Sequence, residues 1–306
     1  MGIAKHPSVV TMPRTAKPYP SLLVFLCDRF PAISREIWAQ RIAEGKVLDE
    51  NGQRLTLETA YAPLKRIFYF REVLSEPCIP FAEKILFLDD EILVACKPHF
   101  LPVTPGGRYV DECLLNRLRK STGIEDLVPL HRLDRGTAGL VLFSVNKKSR
   151  GLYAGLFLNR LIEKTYQAVA ACHPLQETAS WNVETRIERG EPGFRMKMAP
   201  GRVNAISAIH LVEVRGELAR FTLLPQTGKT HQLRIHMSGI GFPILNDSYY
   251  PELLDESADN FAVPLQLLAQ RLCFKDPLSG KNREFSLSES CYGDDSREFR
   301  WDIIVN

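Results

Sequence analysis

The feature that most constrains the fold is a succession of short apolar segments between residues 84 and 236, each of strand length. Lys84–Lys97 predicts two strands around an acidic turn, and Leu152, Leu156 and Leu161 predict one amphipathic helix. Further strands are predicted at Leu140–Val145, Thr165–Ala170, Ser207–Val214, Ala219–Leu224 and Gln232–His236. Because few helices separate these strands, the sequence predicts an α+β domain with a mixed, largely antiparallel sheet.

The first 75 residues have a different pattern. Residues 1–20 contain four prolines and no acidic residue, which predicts a flexible basic arm. Residues 21–75 predict a small module with two short helices, the second ended by Gly45, and then a tight turn at Asn51-Gly52. The remaining residues, 76–306, are predicted to form the main domain.

Cysteine spacing and hydropathy exclude several classes of protein. The 7 cysteines are scattered singly, so no CxxC pair is present for zinc or iron–sulfur binding, and free thiols in a reducing compartment are expected. No apolar run approaches the roughly 18 residues that a membrane span requires. The N-terminal segment also lacks the apolar stretch of a signal peptide, so we expect a cytoplasmic protein without a membrane partner.

Charge is distributed unevenly along the chain. The formal net charge is only +3, but residues 129–236 contain 16 Lys and Arg against 8 Asp and Glu, an excess of +8. A basic segment within a nearly neutral chain indicates an anionic partner at that segment, as a nucleic acid would be.

The densest polar cluster is His131–Gly139, directly before an apolar strand. Asp134 lies between Arg132 and Arg135, whose positive charges favour the ionised carboxylate. Such a carboxylate could attack an electrophilic carbon or accept a proton. The alternative is an ion-pair cluster at the surface.

A second polar cluster, Leu224–His236, closes the basic segment. Gly228-Lys229-Thr230 resembles the end of a phosphate-binding loop, but residue 223 is Leu where that motif requires Gly. His231 and His236 are five residues apart, which would put them on opposite faces of a strand and does not match zinc-helix spacing. Both histidines could simply form hydrogen bonds within the fold.

Together the clusters resemble the RluA family of RNA pseudouridine synthases. The resemblance extends from about residue 83 to 286. It is carried by five collinear motifs: Asp89–Pro98, His131–Asp134 with Thr137 and Gly139, Lys164-Thr165-Tyr166, Thr227–His236, and Gly241–Asp247 with Tyr250. It implies a pseudouridine synthase fold and an enzyme that isomerises uridine to pseudouridine without a cofactor or metal.

The resemblance also implies roles for individual residues. Asp134 matches the essential aspartate, acting as nucleophile or as base, and Tyr166 matches the active-site tyrosine. Arg234 matches the basic residue that pairs with the aspartate, and a guanidinium can hold a carboxylate in bidentate geometry. Without the resemblance, Tyr166 would be read as a core aromatic and Arg234 as a phosphate contact.

The remaining site residues are predicted substrate contacts. Arg132 is expected to fill the space left by a flipped uridine or to hold an adjacent phosphate. The other predicted contacts are His131, Arg135, Thr137, Lys229, His231 and Gln232. Lys147, Lys148, Arg150, Arg195, Lys197 and Arg202 are candidates for phosphate contacts. Residues 21–75 resemble, more weakly, the small alpha-L RNA-binding module.

The sequence therefore predicts a pseudouridine synthase acting on structured RNA, either ribosomal or transfer RNA, with a monomer favoured. The alternative is an RNA-binding or ribosome-assembly factor that has lost catalysis. A glycosidic hydrolase is disfavoured because Asp134 is the only Asp in the basic segment and has no evident carboxylate partner.

Overall fold

The computed structural model describes residues 2–3, 7–31, 33–73, 75–171, 180–254 and 259–287. Cys172 and Cys291, both expected to be free thiols, lie outside these residues, as does the end of the predicted main domain from 288 to 306. The chain divides into two compact units. The first comprises Met1–Pro77 with Gly106–Asp111, and the second comprises Cys78–Pro105 with Glu112–Asn306.

The described residues of the first unit form two helices and five short strands. In chain order they are β1 (Gly2–Ile3), β2 (Ser8–Thr11), α1 (Leu22–Arg29), α2 (Arg35–Ala43), β3 (Val47–Leu48), β4 (Arg66–Tyr69) and β5 (Glu72–Val73). Ser21 and Ser34 cap the two helices by accepting backbone N–H groups through their hydroxyls. The helices pack on a three-stranded sheet, in the order β2-β4-β3, around an apolar core that includes Trp38.

Two features of this unit differ from the sequence-based expectation. The predicted flexible arm contains a strand, since Ser8–Thr11 pairs with β4 along its whole length. Its β-branched residues favour extended backbone, and Pro7 and Pro13 flank the strand rather than interrupt it. Residues 106–111 also join this unit, because the carboxylate of Glu76 accepts the backbone N–H groups of Val110 and Asp111. Contacts so distant in sequence have no local signature.

The second unit is built on a mixed sheet. Its elements are β6 (Lys84–Leu88), β7 (Ile92–Lys97), α3 (Leu114–Thr122), β8 (Val128–Pro129), β9 (Ala138–Ser144), α4 (Arg150–Leu158), β10 (Glu163–Ala171), β11 (Ser180–Arg189), β12 (Met196–Ala199), β13 (Ala205–Arg215), β14 (Leu218–Pro225), α5 (Gln232–Gly239), β15 (Leu267–Lys275) and β16 (Asn282–Ser286). The strand order is β12-β11-β13-β14-β10-β15-β9-β7-β6, with β16 also paired to β15 and β8 to β9.

Among the described strands, every pairing in this sheet is antiparallel except that of β9 with β15, which is parallel. The predicted α+β class with a mixed, largely antiparallel sheet is therefore confirmed. The core includes two large apolar clusters: the first core cluster contains Tyr153, Leu140 and Leu268, and the second contains Phe221, Leu223 and Met237.

One predicted strand is wrong. Gln232–Gly239 is the helix α5. Leu233 and Met237, four residues apart, both pack into the second core cluster, which is the spacing of a helix face. A short apolar run of this length fits either element, and the core beside it determines the outcome.

No helix among the described residues combines the length and the apolar character that crossing a membrane requires.

Candidate active site

Asp134 lies at the start of a tight turn that leads into the central strand β9. The backbone N–H of Thr137 donates to the carbonyl of Asp134 over 3.1 Å, which closes a four-residue turn with Asp in its first position. We refer to residues 130–137 as the Asp134 loop. Its base is held by His131, whose Nε2 accepts the backbone N–H of Leu142 at 3.0 Å.

The strand that follows the loop is fixed by a close backbone approach. Gly139 has a φ of +116°, and a Cβ built there would lie 2.3 Å from the carbonyl oxygen of Ala269. Only glycine fits this position, because Ala269 is its parallel partner on β15. The glycine of the sequence motif therefore allows β9 and β15 to pair directly behind the loop.

The side chains of Arg234 and His231, both from the second polar cluster, approach the Asp134 carboxylate. Arg234 Nη1 lies 3.8 Å from Oδ2, and His231 Nε2 lies 3.9 Å from the same oxygen. Both distances exceed those of direct hydrogen bonds. The carboxylate keeps 24% of its side-chain surface exposed, whereas Arg234 keeps 6%, so the carboxylate is the accessible member of the group.

Tyr166 lies on β10, next to β14 and β15 in the sheet. Burial raises the pKa of its hydroxyl well above the ordinary value, and the nearby negative charge of Asp134 raises it further. Tyr166 is therefore a neutral phenol that interacts electrostatically with Asp134. Its ring also packs against the second core cluster, as expected of a core aromatic residue.

Arg234 has a different principal partner from the one expected. Its Nε and Nη2 donate to Asp247 Oδ2 and Oδ1 at 2.8 and 2.5 Å, so the bidentate carboxylate is Asp247 and not Asp134. Burial alone would lower the pKa of Arg234, but the hydrogen bonds and charge of Asp247 raise it above the ordinary value. Arg234 also forms the expected ion pair with Asp134, over 3.8 Å, but the bidentate geometry belongs to Asp247, which is buried against the guanidinium.

Asp247 and Tyr249 were missed as parts of the site. Asp247 Oδ1 also accepts the backbone N–H groups of Tyr249 and Tyr250, and the Arg234 guanidinium lies over the Tyr249 ring at 4.7 Å. Asp247 closes the last of the five sequence motifs. The sequence signal for this part of the site was a carboxylate, Asp247, with two aromatic residues, Tyr249 and Tyr250, shortly after it.

The segment before α5 is shaped by Gln232. Its Oε1 accepts from the Thr227 hydroxyl at 2.7 Å and from the Lys229 backbone N–H at 3.0 Å, and its Nε2 donates to Ser207 Oγ at 2.8 Å. His231, the residue before the helix, has a left-handed backbone with φ +56° and contacts the Tyr250 hydroxyl through Nδ1 at 2.9 Å. His236 instead contacts Thr185 Oγ1 through Nε2 at 2.9 Å.

The predicted substrate contacts therefore fall into two groups. Gln232, His131, Thr137 and His231 form hydrogen bonds within the fold, and Arg135 pairs with both oxygens of Asp259 at 2.9 and 2.8 Å. Arg132 and Lys229 have exposed side chains.

The described residues contain no group of His, Cys, Asp and Glu side chains arranged to hold a metal ion.

Comparison with known proteins finds relatives of one family. Residues 91–239 match the family model described as RNA pseudouridylate synthase. A dual-specificity RNA pseudouridine synthase RluA of Pasteurella multocida is 31% identical over 216 residues, which cover 69% of this chain and 95% of the relative. An uncharacterized RNA pseudouridine synthase of Synechocystis is 28% identical over 233 residues, covering 75% of this chain and 79% of the relative.

Two solved structures share the fold. Human RNA pseudouridylate synthase domain containing 1 superposes with a TM-score of 0.56 at 22% identity, covering 70% of this chain and 86% of its own. Human RNA pseudouridylate synthase domain containing 4 gives a TM-score of 0.51 at 24% identity, covering 67% and 87%.

These relatives define the class: the protein is an isomerase that modifies RNA. It belongs to the RNA pseudouridine synthase family, and the predicted resemblance to RluA is confirmed.

Proposed function

We propose that Asp134, Tyr166 and Arg234 are the residues with which this enzyme converts uridine to pseudouridine. The observation that carries the proposal is their convergence. A loop before β9, the strand β10 and the helix α5 bring these side chains together around one accessible carboxylate. Detaching uracil and rejoining it through carbon 5 requires a group that can attack the ribose or remove a proton, and Asp134 is suited to either role.

The other two residues act around this carboxylate. Arg234 supplies a positive charge that stays in place because Asp247 holds it from the opposite side. Tyr166 presents a protonated phenol and an aromatic ring, so it can stack on the uracil and donate a hydrogen bond to it.

The target uridine of a folded RNA must leave its stack to reach this site, at a cost of a few kcal/mol. Among the predicted contacts, Arg132 and Lys229 have exposed side chains. We propose that they bind the RNA backbone next to the flipped uridine or fill the space that the base leaves. Lys147, Lys148 and Arg202 are exposed as well and suit phosphate contacts. Arg195 is less available, since its guanidinium stacks on Tyr250.

We further propose that the substrate is cytoplasmic ribosomal or transfer RNA, that the enzyme acts as a monomer, and that the first unit contributes RNA binding. The first 75 residues carry 11 Lys and Arg against 7 Asp and Glu, a charge suited to RNA. Cys27, Cys78 and Cys273 are free thiols, which suits a reducing compartment.

The decisive experiment measures tritium release from carbon 5 of labelled uridine in total RNA. We expect Asp134→Asn to reduce the rate by at least about 10²-fold, because the substitution removes the reactive carboxylate while preserving its size. Asp126→Asn, an equal change of charge at an exposed position, serves as the control and should release tritium like wild type. RNA binding without tritium release by the wild-type protein would instead favour an inactive RNA-binding factor.

A further inference from the structure

The Asp134 turn is held by two side chains at the end of β7, Lys97 in its last position and His99 two residues later. The turn runs from Asp134 to Thr137, so Arg135 and Gly136 are its two central residues. Lys97 Nζ donates to the carbonyl of Arg135 at 3.2 Å, and His99 Nδ1 lies 2.6 Å from the carbonyl of Gly136. Both central carbonyls of the turn are therefore bound by neighbouring residues of one segment.

The state of His99 follows from its surroundings. Its side chain is buried, and burial lowers its pKa to about 4, so the ring is neutral at physiological pH. A carbonyl oxygen can only accept a hydrogen bond, so the proton lies on Nδ1. Within the described part of the chain, Nε2 is buried and has no hydrogen-bond partner. His99 thus contributes a single donor, directed at the Gly136 carbonyl.

This contact matters because no described side chain lies within hydrogen-bond distance of the Asp134 carboxylate. Arg234 and His231 approach Asp134 only to 3.8 and 3.9 Å, which is beyond hydrogen-bond distance. The position of the carboxylate is therefore set mainly by the backbone turn that carries it. A displacement of about 1 Å in a reacting group can reduce a rate by about 10²-fold.

We propose that His99 is a positioning residue for the isomerisation: its Nδ1–H fixes the Gly136 carbonyl and thereby the turn that presents Asp134. The inference rests on the proposed role of Asp134. His99 does not touch the substrate, because its ring is enclosed beneath the loop. Its removal should lower kcat and leave RNA binding, reported by KM, nearly unchanged.

Two amide substitutions distinguish this role from simple packing. Asn places its side-chain N–H where histidine has Nδ1, whereas Gln places it near Nε2. We expect His99→Asn to keep kcat within about threefold of wild type and His99→Gln to lose at least about tenfold, with KM changed less than about threefold in both. His210→Gln, on an exposed residue of β13, is the control and should behave like wild type. Equal kcat values for the Asn and Gln variants would overturn the inference.

A measurement on the wild-type protein covers the case in which a variant does not fold. Nitrogen-15 spectra of the histidine rings report which nitrogen bears the proton, and the His99 signals are assigned from their loss in the most stable variant. Protonation of Nδ1 is expected, and protonation of Nε2 would refute the proposal. Asp134→Asn is assayed in parallel. If that variant kept wild-type activity, the role of Asp134 would fall as well, whereas an inactive Asp134→Asn with equal His99 variants would refute this inference alone.

Discussion

Arg234 interacts with two carboxylates, one strongly and one weakly. Asp247 is buried and binds the guanidinium through two hydrogen bonds, whereas Asp134 is partly exposed and lies farther away. The stronger pair keeps the guanidinium in place, and the weaker one leaves the Asp134 carboxylate free to act on a substrate. This division of roles follows from burial, which the sequence alone does not reveal.

Asp247 compensates the buried positive charge of Arg234. Asp247→Asn keeps the shape of the side chain but leaves the buried charge of Arg234 without its bidentate partner. We expect the free energy of unfolding, measured by urea denaturation, to fall by about 3 kcal/mol or more. Glu284→Gln removes a carboxylate from the exposed pair with Arg271 and should have no measurable effect. Similar losses for both variants would contradict the argument.

At the scale of secondary-structure elements, Gly139 determines how β9 meets β15. Gly139→Ala would place a methyl group against the Ala269 backbone and force an unfavourable φ. We expect a loss of about 3 kcal/mol or more in the free energy of unfolding, seen in chemical denaturation, because neither strand can move without losing its pairing.

The control for this substitution is Gly151→Ala. Gly151 lies in α4, and a Cβ there would meet nothing within 4 Å. Alanine is the better helix former, so this variant should gain roughly 0.5–1 kcal/mol. A Gly139→Ala protein as stable as wild type would show that β9 and β15 tolerate separation.

The elements also show what local sequence can and cannot predict. The strand β14 is predictable from its alternating apolar residues beside a turn at Gly216, and β9 from a short, continuous apolar run preceded by glycines. The helix α5 was predicted as a strand, since eight residues beside a core satisfy both periodicities. The strand β2 was hidden among prolines. In both cases, packing against segments distant in the sequence determined which element formed.

The candidate site was also predictable only in part. Asp134, Tyr166 and Arg234 were singled out by their motifs, and the structure brings them together. Asp247 and His99 could not be assigned in the same way, because their importance depends on which buried group each one faces. Gln232 and His131 were expected at the substrate, yet the structure uses both to form hydrogen bonds that shape the loops.

Across the whole molecule, buried histidines predict sensitivity to acid. Burial lowers the pKa of His99 and His236 to about 4 and that of His131 to about 3, from an ordinary value of 6.5. The unfolded chain takes up these protons near pH 6.5 but the folded chain does not. Stability is therefore fully present well above pH 6.5 and is lost as the pH falls toward 4, by about 2 kcal/mol per histidine between pH 7.5 and 5.

Urea denaturation between pH 7.5 and 5 measures this loss. His236→Gln keeps a hydrogen-bonding group near Thr185 and should remove about a third of the dependence in this range. A free energy of unfolding that stays constant down to pH 5 would be inconsistent with neutral buried rings.

The burial of β9 has a further consequence for motion. The strand pairs with β7 on one side and β15 on the other, and each of its seven residues is buried. Opening it would break the pairings on both sides and expose its buried side chains, so backbone hydrogen exchange there should report global rather than local opening. The Asp134 loop is tied directly to this rigid strand. Any adjustment needed to admit a bulky RNA must therefore come from the segments around the carboxylate, while the carboxylate itself remains still.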